Sequence, residues 1–187
     1  EGLMTAIIGG VLHFTYELFH RNKFVALFSA VNESTWEHIK LALSGIFFCT
    51  LIDIWIFGDN PNYWLARSCS LIMPILVIPA FFYCYRIVTG LKSFLPLDIA
   101  IFVLASFLSS IVFAMLLDAP KVGLVTELAS IALAILILTL YLLFTRFPLH
   151  HVFLFEDPIT GGYGYEAVAT HRERRQIRKI QKAKQNP

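Results

Sequence analysis

Long apolar stretches joined by short polar connections make up most of the chain. A helix that crosses a hydrocarbon core about 30 Å thick needs about 20 mostly apolar residues. The stretches that meet or approach this length are Leu3 to Phe19, Ile39 to Phe57, Leu65 to Val88, Leu95 to Leu117 and Val122 to Thr145. The pattern predicts an all-α integral membrane bundle of about five transmembrane helices over residues 1–148.

The composition supports this class of protein. Of the 187 residues, 57% are hydrophobic and only 15% are charged, and the mean hydropathy is +0.69. Because soluble domains carry about 25% charged residues, a soluble globular fold is excluded. The cysteines lie in apolar stretches without the paired spacing of a metal or redox motif, so we expect them to pack as small hydrophobic residues.

The basic residues predict an orientation, because Lys and Arg accumulate on the cytoplasmic side of membrane proteins. Basic residues follow the first, third and fifth stretches: Arg21, Lys23, Arg86, Lys92 and Arg146. We therefore expect a multi-pass protein of the cell membrane with the N-terminus outside and the C-terminus in the cytoplasm.

The end of the chain differs in composition from the bundle. Residues 149–165 form a predicted interfacial loop, and residues 166–187 form a predicted basic cytoplasmic tail or helix. Anionic lipid headgroups are the expected partner of the tail, at about 1 kcal/mol per basic residue near the surface. Nucleic-acid binding is not expected, because no aromatic residues alternate with these charges.

Titratable residues collect on the predicted cytoplasmic side. An ionisable side chain within a membrane span costs roughly 2.5 to 3.5 kcal/mol and usually faces a protein interior. His13, Glu17 and His20 share one predicted helical face. Further candidates at this side are Glu33, Ser34, Glu37, His38 and Lys40 before or within the second stretch, with Asp98 and Asp157 farther along the chain.

Some of these residues have a plainer explanation. Ser34 and Glu37 fit the S/T-x-x-E capping box, in which two side chains satisfy backbone donors at a helix start. His13 and Glu17 lie away from the predicted helix ends, so each needs a partner inside the bundle. The apolar connection from Asn22 to Asn32 is expected either to lie along the interface or to re-enter the bundle under cover of protein.

Both ends of the chain resemble a family of small bacterial multi-pass membrane proteins of unknown function (domain of unknown function 6512). The resemblance rests on HFTYELFHRNKFVALFSAVNESTWEHIKL and on EDPITGGYGY. The family pattern maps onto His13, Glu17, Asn32, Glu33, Ser34, Trp36, Glu37, His38 and Lys40, and onto Asp157, Pro158, Thr160, Gly161, Tyr163 and Gly164. The resemblance implies that both ends are important, and it implies no activity.

Several functions are compatible with the polar cluster. His13, Glu17, Glu37 and His38 offer the nitrogen and oxygen donors of a divalent metal such as zinc. Such a metal would activate water against a lipid or lipid-linked substrate, with Glu17, Ser34, Glu37 and His38 as catalytic candidates. Alternatively, the same residues form a non-catalytic network or ligand site, in a homodimer or beside another membrane protein, or they pass ions or protons.

Overall fold

The computed structural model describes residues 1–90 and 94–167. Along these residues, six helical elements follow one another. They are α1 (Gly2–Leu18), the 3-10 helix η1 (Val25–Leu27), α2 (Thr35–Phe57), α3 (Tyr63–Thr89), α4 (Leu95–Leu117) and α5 (Leu124–Arg146). Most of the predicted basic tail lies outside the described residues, and so does its expected contact with anionic lipid.

Four helices, α2 to α5, are long and apolar enough to cross a membrane. The first predicted span is a shorter apolar helix, α1, of 17 residues. Helix α4 has the bounds of its predicted apolar stretch, whereas α2 begins at Thr35, ahead of the apolar stretch that starts at Ile39 and directly after the predicted capping residue Ser34. The structure confirms an all-helical bundle of the membrane type.

Local chemistry sets the ends of the long helices. The Ser34 hydroxyl accepts a hydrogen bond from the Glu37 backbone N–H at 3.4 Å, so α2 begins earlier than its apolar run. Helix α3 continues through Pro74 and Pro79 and ends at Gly90, whose φ of 69° is left-handed. These ends bring the start of α2 to the same side of the bundle as the finish of α3.

Close helix packing depends on small residues. Helix α3 packs along α4, α1 packs against α2 and α4, and α5 packs against α3. A Cβ atom added at Gly45 of α2 would lie 2.7 Å from the Thr5 carbonyl oxygen of α1. Only glycine permits this approach, as is common where membrane helices pack closely.

A buried ionic cluster lies at the bundle end where α2 meets α3. The Arg67 side chain is 1% exposed, and its guanidinium lies 2.5 Å from the Glu1 carboxylate and 2.7 Å from the Asp53 carboxylate. The guanidinium carbon also lies 3.9 Å from the centroid of the Phe113 ring. Arg67 thus ties the start of α1 to α2, α3 and α4.

Candidate functional site

Two polar parts of the chain, one before α2 and one after α5, meet at the bundle end opposite Arg67. The Asn32 side chain donates a hydrogen bond to the Gly164 carbonyl oxygen at 3.1 Å. The Trp36 backbone N–H donates to the Leu154 carbonyl oxygen at 2.9 Å. Residues 147–167, the C-terminal segment, therefore fold back over the start of α2.

Asp157 shapes a turn in the C-terminal segment. Its Oδ1 accepts hydrogen bonds from the backbone N–H groups of Ile159 at 2.7 Å and Thr160 at 3.3 Å. Side chain to backbone bonds of this kind define an Asx turn. Gly161 adopts φ of 71° in the same turn, which favours glycine. The turn holds the buried Asp157 side chain, which lines a cavity together with residues of α1.

Residues 22–34, the re-entrant connection, turn into the bundle. Three consecutive carbonyl oxygens accept side-chain hydrogen bonds: Ala26 from Lys40 Nζ (3.0 Å), Leu27 from the Tyr141 hydroxyl (2.6 Å) and Phe28 from the Ser44 hydroxyl (3.1 Å). Side chains of α2 and α5 thus satisfy the carbonyl oxygens of η1 and the residue after it, which is the cover by protein that the re-entrant alternative requires.

Glu37 and Lys40 form a buried ion pair. Glu37 Oε2 lies 2.6 Å from Lys40 Nζ and accepts a second hydrogen bond from the Val31 backbone N–H at 2.9 Å. The capping box is only half formed, because the Ser34 backbone N–H donates to the Asn32 side chain. Glu37 and Lys40 fix the re-entrant connection on α2.

His13 lies between two other candidates of the predicted cluster. Its Nε2 is 3.8 Å from Glu33 Oε1, and its ring centroid is 6.1 Å from that of His38. His38 directs Nδ1 at the Ser34 carbonyl oxygen, 3.0 Å away. The structure therefore brings together His13, Glu33 and His38.

The expectation that Glu17 has a partner inside the bundle is wrong, and so is the helical face that His20 was predicted to share with His13 and Glu17. Glu17 is next to the last residue of α1, and its side chain is 65% exposed and paired with Arg21 at 2.6 Å. His20 lies beyond the helix end with φ of 53°, so the helical spacing no longer applies to it. Asp98 is buried between α3 and α4, where it accepts a hydrogen bond from the Tyr85 hydroxyl.

The proposed metal ligands do not converge. Within residues 1–90 and 94–167, no group of three or more His, Cys, Asp or Glu side chains has a geometry that could hold a metal ion. The catalytic candidates Ser34 and His38 are also engaged, since the Ser34 hydroxyl caps α2 while His38 contacts the Ser34 carbonyl oxygen. The contacts of Ser34 and His38 are thus those of residues in the N-terminal cap and first turn of α2.

A cavity of about 480 Å³ opens beside His13. Its walls come from the end of α1, the re-entrant connection and the C-terminal segment. The charged and polar lining residues are His13, Glu17, Arg21, Asn32, Glu33 and Asp157, and the apolar wall includes Phe14, Ala30, Val31 and Ile159. Four of the predicted site residues, His13, Glu17, Glu33 and Asp157, line this cavity.

Two side chains modify the electrostatics around this cavity. The Arg21 guanidinium pairs with Glu17 through one terminal nitrogen, while its buried Nε has no acceptor within the described part of the chain. The Tyr165 ring lies 6.3 Å from that of Tyr16, and burial raises the pKa of the Tyr165 phenol, with Glu37 adding to the increase. The phenol therefore stays neutral.

Residues 3–165 match the model of a family described as a family of unknown function, DUF6512. The chain belongs to this family. The matched residues run from the first turn of α1 to Tyr165 in the C-terminal segment. They include nearly all the residues that line the cavity of this DUF6512 protein. No curated protein and no solved structure matches the chain.

Several residues around the site could not be recognised from the sequence as part of it. From the sequence, Arg21 was used only to predict the membrane orientation. Its spacing of four residues from Glu17 also favours a side-chain pair at a helix end. Tyr141 and Ser44, which hydrogen-bond to each other at 2.8 Å, also hold the re-entrant connection. A single tyrosine within the apolar run of α5 was the available signal, since buried Tyr hydroxyls usually find a partner.

Proposed function

We propose that this protein is a non-catalytic membrane protein that binds a ligand through a small polar group, which enters the cavity beside His13. The observation that carries the proposal is the 480 Å³ volume bounded by Glu33, His13 and Arg21. Ligand pockets have volumes of about 300 to 1,000 Å³ and combine apolar walls with a few polar groups. The cavity has both features.

A preformed cavity supports binding, because less conformational entropy is lost when the ligand arrives. The Glu37–Lys40 pair anchors the inner side of the re-entrant connection. The Ser29 hydroxyl donates to the Leu12 carbonyl oxygen and accepts from the Tyr16 backbone N–H, which fixes the connection to α1. The hydrolase and transport alternatives have no comparable support among the described residues.

The proposal predicts that filling the cavity displaces its ligand. Val31→Trp places a large ring at the lining, whereas Val11→Trp makes the same change at an exposed position of α1 that does not line the cavity. Native mass spectrometry of protein extracted in mild detergent should show a bound species on the wild type and on Val11→Trp. Its occupancy should fall at least tenfold on Val31→Trp.

Equal occupancy on a folded Val31→Trp variant would contradict the proposal. Thermal unfolding in the same detergent reports whether each variant keeps its fold. If Val31→Trp does not fold, Glu33→Gln provides a nearly isosteric second variant that removes the cavity carboxylate. The same loss of the bound species is expected for it.

We also propose that the cavity end faces the cytoplasm. The support is the basic residues Arg21, Lys23, Arg86 and Arg146, which flank helix ends on this side. In a cysteine-free background, a membrane-impermeant maleimide on intact cells should label Asp59→Cys and leave Lys23→Cys unlabelled until permeabilisation. Labelling of Lys23→Cys in intact cells would reverse the orientation.

A further inference from the structure

We infer that the ligand carries both a primary ammonium group and a phosphate group, as an aminophospholipid headgroup does. The inference rests on the proposed function and names the ligand class of the same cavity. Its basis is the juxtaposition of the Glu33 carboxylate, the Arg21 guanidinium and an apolar exterior at the cavity wall.

Glu33 is the group that would take the ammonium. Its side chain is 38% exposed, and its closest ionic partner within the described residues, His13 Nε2, lies 3.8 Å away. That separation exceeds hydrogen-bond length, so no described residue occupies the acceptor sites of the carboxylate. An ammonium group brings three N–H donors and forms charge-assisted hydrogen bonds with a carboxylate.

Arg21 is the group that would take the phosphate. A guanidinium presents five N–H donors in a rigid fork that fits phosphate oxygens. Glu17 accepts from one of these donors, and the buried Nε has no acceptor within residues 1–90 and 94–167. A ligand oxygen would bind the terminal N–H groups that Glu17 leaves open, since the Nε itself is closed to solvent.

The charge of the lining favours a zwitterion over an anion. The lining has three acidic residues, Glu17, Glu33 and Asp157, and one basic residue, Arg21, so its formal charge is net negative. A purely anionic headgroup would satisfy Arg21 and be repelled by the remaining carboxylates. A ligand with one charge of each sign satisfies Arg21 and Glu33 together.

The lining also favours a primary amine over a quaternary one. A quaternary ammonium has no N–H donor and is usually bound in a cage of aromatic rings. The aromatic rings on this cavity are those of Phe14 and Tyr16, too few for a cage. The Glu33 carboxylate instead offers oxygen acceptors for N–H donors.

The wall of the cavity that carries Phe14 is apolar and exposed, which favours a lipid as the source of this headgroup. Phe14, which lines the cavity, is 70% exposed. Leu18 and Phe24, near the same end of α1, are 71% and 70% exposed. Acyl chains would lie along this surface while the headgroup enters the cavity. A soluble phosphoethanolamine compound shares the headgroup chemistry and is distinguished in the test below.

The test compares dioleoyl phosphatidylethanolamine, phosphatidylcholine and phosphatidylglycerol, added one at a time to delipidated protein in detergent. Dissociation constants are measured by native mass spectrometry. The ethanolamine lipid should bind at least tenfold more tightly than the other two. Glu33→Gln should remove its advantage over phosphatidylglycerol, and Arg21→Gln should weaken both. Lys23→Gln, a neighbouring exposed residue outside the lining, should change neither.

Equal binding of the three lipids, or tighter binding of the choline or glycerol lipid, would overturn the inference. If Val31→Trp still displaces a bound species in that case, the proposed function stands with another ligand class. Glycerophosphoethanolamine serves as the soluble probe. Competition by it at matched concentration supports a headgroup-only ligand, and the absence of competition supports the intact lipid.

Discussion

Replacing Arg67 with leucine should lower the free energy of unfolding by about 3 to 5 kcal/mol, because removing one partner of a buried pair leaves an uncompensated charge. Here the carboxylates of Glu1 and Asp53 both lose the guanidinium that lies within 2.7 Å of them. The contact with the Phe113 ring is lost as well. Unfolding by added sodium dodecyl sulfate in mixed micelles measures the change.

Lys121→Leu is the matched control for Arg67→Leu, because it removes a positive charge from an exposed residue at the same bundle end. Surface substitutions usually change stability by less than about 0.5 kcal/mol. If both variants lose equally little, Arg67 is not buried between the two carboxylates. In that case α1 is not tied to α2 and α3 at this end.

Replacing Lys40 with methionine should have an effect of similar size, about 3 to 5 kcal/mol. Glu37 would remain buried without its cation, and the Ala26 carbonyl oxygen would lose its donor. Lys23→Met removes a positive charge from an exposed position near the same end and should be almost neutral. Loss of the Lys40 contact should also loosen the re-entrant connection and weaken ligand binding.

The double variant Lys40→Met with Glu37→Gln separates charge from packing. Removing both charges of a buried pair costs far less than removing one, so the double variant should be more stable than Lys40→Met alone. In the native protein, Glu37 also accepts a hydrogen bond from the Val31 backbone N–H. The side-chain oxygen of a glutamine at this position can keep that bond. Strictly additive losses in the double-mutant cycle would contradict a direct Glu37–Lys40 interaction.

The bundle could be predicted from the sequence because the length of an apolar run decides whether a helix can span a membrane. Leu95 to Leu117 was predicted with its observed bounds. The apolar run from Ile39 leaves out the polar first turn of α2, because a hydropathy pattern assigns polar residues to the connection. The capping signal at Ser34 and Glu37 predicts the true start, and Ser34 is the N-cap in the structure.

The site could be predicted only in part. Spacing of four and three residues places side chains on one face only while the helix continues. Because α1 ends at Leu18, the rule holds for His13 and fails for His20. Glu17, in the last turn, pairs with Arg21 at the surface. The prediction of the site therefore failed where a helix end was misjudged, and not because the wrong types of residue were selected.

Side-chain contacts between helices could not be predicted from the sequence. Asp53 and Arg67 lie on α2 and α3, and their pairing depends on how each helix is rotated about its axis. The same holds for Tyr141 of α5 and the Leu27 carbonyl oxygen of the re-entrant connection. A lone charge in an apolar run indicates that a partner exists and does not identify it.

An experimental structure of the full chain in lipid nanodiscs that contain phosphatidylethanolamine tests the central claim most directly, because it shows what occupies the cavity beside His13. The account predicts non-protein density within hydrogen-bond distance of the Glu33 carboxylate and the Arg21 guanidinium, continuing along Phe14 toward the lipid. A cavity filled by the protein's own side chains, with Glu33 and Arg21 paired to each other, would contradict it.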